Sequence, residues 1–258
     1  MAAPDLKSRL AAGETLYSAW VTMPCADIAG ALARSGWDAV VIDMQHGYGD
    51  FASLRDGIAQ AAAAGAAAMV RIGLGEDGLT GRAADCGALG LICPLVNSGQ
   101  EAASFARTAK YPPLGQRSWA PMRALEVLGM EREDYLARAN ELVLSFAMVE
   151  TALALKHIDS ICSTPGIDGI FVGPNDLSVS LTKGAAADPA RPEVRQALGQ
   201  IARKCAAHNV VPGIFANTPE LARIYREMGF SFIAVASDAK YLAAGSKAML
   251  DAARGEGA

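Results

Sequence analysis

Aromatic residues are scarce in this chain, at 6% of 258 positions. That is too few for the stacking platforms that hold single-stranded nucleic acid. No run of Lys or Arg occurs, and the formal net charge is −4, so a nucleic-acid or anionic-membrane partner has no electrostatic footprint here. Long apolar runs are missing too. The most apolar stretch, Ala61 to Val70, is Ala-rich and stops at Arg71, too short to cross a bilayer. The opening segment MAAPDLKSRLAAGE lacks the apolar centre of a signal peptide. The five cysteines (Cys25, Cys86, Cys93, Cys162, Cys205) include no C-x-x-C pair. They read as free thiols of a reducing cytoplasm, not as a disulfide framework or a zinc site. The expectation is a soluble, cytoplasmic protein that engages neither membrane nor nucleic acid.

What is present is apolar material, 52% of the chain against 19% charged. It falls into eight short β-type runs: 16–21 (LYSAWV), 38–43 (DAVVID), 67–72 (AAMVRI), 89–96 (LGLICPLV), 142–149 (LVLSFAMV), 168–172 (DGIFV), 210–215 (VVPGIF) and 231–236 (SFIAVA). Each is apolar on both faces, as a parallel strand covered on both sides must be. Ala-rich helical stretches follow at 26–35, 50–64, 78–87, 99–109, 152–161, 192–207, 218–228 and 238–254. Eight βα units in one domain, residues 1–258, predict an α/β TIM barrel; a doubly wound open sheet is the alternative. The longest irregular segment expected is 111–130.

In a barrel the chemistry sits at the carboxyl ends of the strands. The polar residues there are Asp43, Gln45, His46, Arg71, Asn97, Glu150, Asn175, Asp176, Asn217, Ser237 and Asp238. Glu150 and Asp176 would end adjacent strands, and two unscreened carboxylates would repel until one took up a proton. A divalent cation resolves this, and an oxygen-rich site suits Mg²⁺ or Mn²⁺. Arg71 fits recognition of a carboxylate or enolate oxygen through its fork of N–H groups. His46 follows a buried strand at the barrel top, whereas His157 and His208 fall in or at the end of helices and read as surface residues. No lysine ends a predicted strand, which argues against Schiff-base chemistry and for a metal electrophile. Gly73-Leu-Gly75-Glu-Asp-Gly78 spells G-x-G-x-x-G, but its own Glu76 and Asp77 would repel a pyrophosphate. We read it as a glycine turn and expect no nucleotide cofactor.

The blocks VVIDMQHG, MVRI, YPPLGQRS, FAMVET, GIDGIFVGPNDLS and PGIFANT, in that order across about residues 14–245, resemble the HpcH/HpaI aldolase family. The resemblance implies a class II, metal-dependent pyruvate aldolase on a phosphoenolpyruvate/pyruvate-type TIM barrel. Its members are of the 4-hydroxy-2-oxoheptanedioate and 2-keto-3-deoxy-sugar-acid type. They make or cleave 4-hydroxy-2-oxoacids through a pyruvate or hydroxypyruvate enolate and an aldehyde.

The implied cofactor is Mg²⁺, Mn²⁺ or Co²⁺ on Glu150 and Asp176. His46 is implied as the base, in a dyad with Asp85, and Arg71 as the holder of the ketoacid oxygens. Gly173 and the N–H groups of Asn175 and Asp176 would receive the carboxylate. Asp43 would be an acid near the aldehyde, often presented across a subunit interface, and Trp20 and Phe215 would be walls. Gln45 and Met148 stand where some members carry Glu and Gln, and GLGEDG replaces a Pro/Asn-containing loop. The resemblance also implies a C-terminal helix exchanged between subunits of a homohexamer, a trimer of dimers. On its own, the stripe of Tyr241, Leu242, Met249 and Leu250 would cover its own barrel. Alternatives are an acyl-CoA lyase of the citryl-CoA or malyl-CoA type, which would need a basic nucleotide groove, and an inactive barrel serving as a binding protein.

Overall fold

A computed structural model of the protein describes residues 4–255. The single unit expected over 1–258 includes residues 1–3 and 256–258, which lie outside the described residues. Eight strands occur in chain order: β1 (Leu16–Val21), β2 (Ala39–Asp43), β3 (Ala67–Arg71), β4 (Gly90–Cys93), β5 (Leu144–Met148), β6 (Gly169–Val172), β7 (Val211–Ala216) and β8 (Phe232–Val235). All pair in parallel with their sequence neighbours, and β8 closes on β1 through Leu16↔Phe232 and Ser18↔Ala234. This is the predicted (β/α)₈ barrel, and the open sheet is excluded. Alternation along the strands explains the two-faced apolar pattern. Leu16, Trp20, Val41, Met69, Phe146 and Phe171 fill the interior, while Val40, Val70, Leu91, Ile170, Ile214 and Ile233 face the helices.

Thirteen helices are described: α1 (Leu6–Ala11), α2 (Ala26–Arg34), α3 (Phe51–Ala63), α4 (Asp77–Asp85), α5 (Gly99–Ala109), α6 (Met122–Leu128), α7 (Arg132–Leu142), α8 (Ala152–Lys156), α9 (Ile158–Cys162), α10 (Pro174–Leu181), α11 (Pro192–His208), α12 (Pro219–Glu227) and α13 (Asp238–Arg254). Four of these, α1, α6, α7 and α10, lie outside the helical stretches read from the sequence. Part of the expected loop 111–130 is α6, and the helix expected at 152–161 breaks at His157. Short helices such as α1 offer too few turns for periodicity to register. α1 starts on an Asp5 cap that accepts from the Ser8 N–H. Its Leu6 and Leu10 join the interior cluster from the amino-terminal end of the barrel.

That end is also fixed by a buried lysine. Lys110 Nζ donates to the carbonyls of Val143 (2.6 Å) and Asn140 (2.8 Å) and to Asp168 Oδ2 (2.5 Å). Val143 and Asp168 immediately precede β5 and β6. Burial pushes the Lys110 pKa down, and Asp168 opposes that. The ammonium thus serves the scaffold, far along the chain axis from the strand ends where chemistry is expected.

The last helix is held to this barrel only at its root. Of α13 only Asp238 is buried, and its carboxylate accepts from the N–H groups of Thr22 and Met23 and from the Thr22 hydroxyl. Tyr241 stacks on Trp37 with centroids 5.7 Å apart. Beyond that root the apolar stripe does not cover this barrel: Leu242 is 62% and Met249 78% exposed.

Candidate active site

Asp43 and Arg71 end neighbouring strands β2 and β3 and are register partners. The guanidinium meets the carboxylate edge-on: Arg71 Nε donates to Asp43 Oδ1 (2.9 Å) and Nη2 to Oδ2 (2.6 Å). The indole Nε1 of Trp20 donates to Asp43 Oδ2 at 3.1 Å, and the backbone N–H groups of Gln45 and His46 donate to Oδ1. Arg71 also lies over the Trp20 ring, 5.0 Å from its centroid. Burial raises the Asp43 pKa, but the bonds and charge of Arg71 and the Trp20 N–H outweigh it, and the net shift is downward. A carboxylate offers about four lone-pair sites. Five donors already occupy Asp43, which is almost fully buried. Within this chain, then, Asp43 holds Arg71.

Glu150 follows β5 and is 3% exposed. Its Oε1 accepts from the Leu95 N–H at 2.8 Å. Burial pushes its pKa up to about 7; the Leu95 bond lowers it and the Asp176 charge raises it. Asp176 stands in the first turn of α10, which opens on Gly173 and Pro174. Proline suits that first helical position. A Cβ on Gly173 would fall 2.6 Å from Glu150 Oε2 and 3.4 Å from Asp176 Oδ2. The glycine leaves the Glu150 carboxylate room to approach Asp176, which a larger residue would press away. The Leu177 N–H is the first to find an acceptor, the Gly173 carbonyl at 3.0 Å. The amides of Asn175 and Asp176 thus precede the helical ladder and are open to an anion.

These groups surround one cavity of about 170 Å³ at the carboxyl end of the barrel, lined by Trp20, His46, Arg71, Met148, Phe171, Gly173, Pro174, Asn175, Asp176 and Phe215. Trp20 packs edge-on to Phe215 and stacked on Phe171. The structure thus brings His46, Arg71, Asn175, Asp176, Gly173, Trp20 and Phe215 together, with Glu150 at the Gly173 wall. It does not bring Asp85 to them. Asp85 is the last residue of α4, a helix that runs back from the strand ends. Its Oδ1 accepts from Arg117 Nη2 at 2.5 Å. No hydrogen bond joins Asp85 to His46, the partner the resemblance implies for it, within the chain. Burial raises the Asp85 pKa and Arg117 opposes the rise.

The donor set fits a hard divalent cation: two convergent carboxylates, one of them costly to keep charged without a counterion. Among the described residues there is no group of three or more His, Cys, Asp or Glu able to hold a metal. Further ligands would have to be water or substrate oxygens. The glycine loop behaves as a turn, with Gly75 at φ +75. The Glu76 carboxylate occupies the space beside Gly73, 2.5 Å from where a Cβ would lie, and would oppose a phosphate.

The HpcH/HpaI aldolase/citrate lyase sequence model matches residues 17–244. This chain belongs to that family. Within the family it is 36% identical to a hydroxypyruvate/pyruvate aldolase of Rhizorhabdus wittichii, over 94% of this chain and 95% of that protein. It is 32% identical to a 2-dehydro-3,6-dideoxy-6-sulfogluconate aldolase of Pseudomonas putida, over 92% and 91%. The crystal structure of a family member from Burkholderia cenocepacia superposes with a TM-score of 0.88 at 34% identity, covering 97% of this chain and 99% of that one.

Proposed function

We propose that the protein is a carbon–carbon lyase, a class II aldolase that joins a pyruvate or hydroxypyruvate enolate to an aldehyde and cleaves the resulting 4-hydroxy-2-oxoacid. The observation that carries this reading is the convergence of Glu150 and Asp176 over Gly173, opposite Arg71, in a cavity sized for a small acid. A divalent cation (Mg²⁺, Mn²⁺ or Co²⁺) on the two carboxylates would supply the electrophile that lowers the cost of the enolate. The chain's own residues do the rest. Arg71, locked by Asp43 and Trp20, presents its remaining N–H groups to the ketoacid oxygens and stabilises the charge that develops there. The amides of Asn175 and Asp176 receive the carboxylate. His46 lines the cavity and moves the proton at the nucleophilic carbon or at the aldehyde oxygen. Trp20, Phe171 and Phe215 exclude water from that face.

Proton–deuterium exchange at the pyruvate methyl tests this without knowledge of the aldehyde. We expect exchange that stops with a chelator and returns with Mg²⁺, Mn²⁺ or Co²⁺. Chelator-insensitive exchange, with borohydride trapping pyruvate on a lysine, overturns the reading. An aldehyde panel against pyruvate and hydroxypyruvate then names the partners.

We further propose a homohexamer, a trimer of dimers, in which the bare stripe of α13 lies on a neighbouring barrel. Its exposed Leu242, Met249 and Leu250 support this. Sedimentation at micromolar concentration tests it, and an active monomer removes it. The free state of all five cysteines supports a cytoplasmic location.

A further inference from the structure

Asn97 lies at the barrel top, and the chemistry proposed above makes no use of it. β4 ends at Cys93, paired with Ala147, yet pairing resumes at Val96, whose N–H donates to the Met148 carbonyl at 3.1 Å. Pro94 and Leu95 bulge out between. Leu95 takes φ +52, in the left-handed region that a leucine avoids. This turn of the backbone aims the Leu95 N–H at Glu150 Oε1, 2.8 Å away.

A strained conformation persists only where its surroundings impose it. Here Asn97 does so. Its Nδ2 donates to the Leu95 carbonyl at 2.8 Å, and its Oδ1 accepts from the Thr151 hydroxyl. Thr151 is the residue after Glu150 and also caps α8, accepting from the Ala154 N–H. Asn97 is itself pinned through its backbone: its N–H donates to Glu101 Oε2 at 2.6 Å, and its carbonyl lies 2.8 Å from His157 Nδ1. The amide orientation follows from its partners, since a flipped Asn97 would set oxygen against the Leu95 carbonyl.

We propose that Asn97 is a positioning residue for Glu150: one side chain ties down the N–H that orients the carboxylate and, through Thr151, the backbone that carries it. The consequence is pre-organisation of a cation ligand by an uncharged group that reaches it through the Leu95 backbone and two hydrogen bonds. The inference rests on the metal reading above.

Mn²⁺ binding, followed by the electron paramagnetic resonance of the free ion, tests it with a readout independent of turnover. Loss of an outer partner of a metal ligand costs about 10–100-fold in affinity. Asn97→Ala is expected to bind Mn²⁺ weaker by that factor with its thermal transition nearly unmoved. Thr151→Val should lose several-fold, and Thr151→Ser, which keeps the hydroxyl, should bind as the wild type does. Mn²⁺ binding by Asn97→Ala equal to wild type, while Glu150→Gln binds none, overturns the inference alone. A wild-type protein that binds no Mn²⁺ overturns the metal reading and this inference with it. If Asn97→Ala does not fold, the two Thr151 variants decide: equal affinity for Val and Ser refutes the proposal.

Discussion

The Arg71 guanidinium and the Asp43 carboxylate meet as two parallel hydrogen bonds of 2.9 and 2.6 Å across adjacent strands. Both are shielded from water, and the pair turns a flexible cation into a fixed one. Removing the acid should therefore harm both fold and catalysis. Asp43→Ala leaves a buried charge without its partner, a loss of about 3–5 kcal/mol. It also frees Arg71, and misplacement by about 1 Å costs on the order of 100-fold in rate. Denaturant melts and kcat/KM for aldol cleavage check the two effects. A variant with full activity and native stability would show that the clamp is ornamental.

Gly173→Ala separates the site from the scaffold. The added methyl must displace Glu150 Oε2, 2.6 Å away, while the backbone at this helix cap is unstrained. We expect metal-dependent activity to fall at least tenfold, with stability within about 1 kcal/mol of wild type. Calorimetric titration with Mg²⁺ should show the same loss. Retained affinity would mean that the two carboxylates do not share a cation.

The raised pKa of Glu150 makes a signed prediction for protein stripped of divalent cations. Burial pushes its carboxyl up to about 7 in the folded protein, against an ordinary value of 4.5. Between those values the folded state holds a proton that the unfolded state has released, so stability falls as pH rises through that window. The full effect, on the order of 3 kcal/mol, is present above pH 7 and absent below about 4.5. Glu150→Gln should flatten this part of the profile and stabilise the metal-free protein at pH 8. Thermal melts from pH 5 to 8 measure it, and a wild-type profile that rises with pH contradicts it.

His46→Ala should abolish exchange at the pyruvate methyl while leaving the melting transition and Mn²⁺ affinity near wild type. His46 touches the scaffold through its backbone N–H to Asp43, a bond alanine retains. Exchange at the wild-type rate would take the base role from His46.

Much of this was legible in the chain. Strands buried on both faces announce themselves as short apolar runs, and the groups at their ends follow once a barrel is assumed; the placing of Glu150, Asp176, Arg71 and His46 around one cavity is legible this way. Pairings were harder. That Asp85 bonds Arg117 within the chain depends on which way α4 carries it, which no local pattern encodes. The resemblance places Asp43 near the aldehyde, but sequence shows a residue's type and not how many N–H groups point at it, so its grip on Arg71 is not legible there. Asn97 was visible as a polar residue at a strand end, but its task depends on the left-handed Leu95, and nothing in Leu-Val-Asn predicts that φ.

The buried Lys110 gives the barrel a division of labour between its two rims. At the amino-terminal rim an interior charge is matched by Asp168 and two carbonyls, so that end asks nothing of its surroundings and can stay rigid whatever is bound. At the opposite rim Glu150 is left short of a partner and needs something from solution to complete it. A substitution at Lys110 should thus be felt in every state of the protein alike, and a substitution at Glu150 chiefly in the loaded one. Evolution of new aldehyde preferences could then proceed at one rim without disturbing the other.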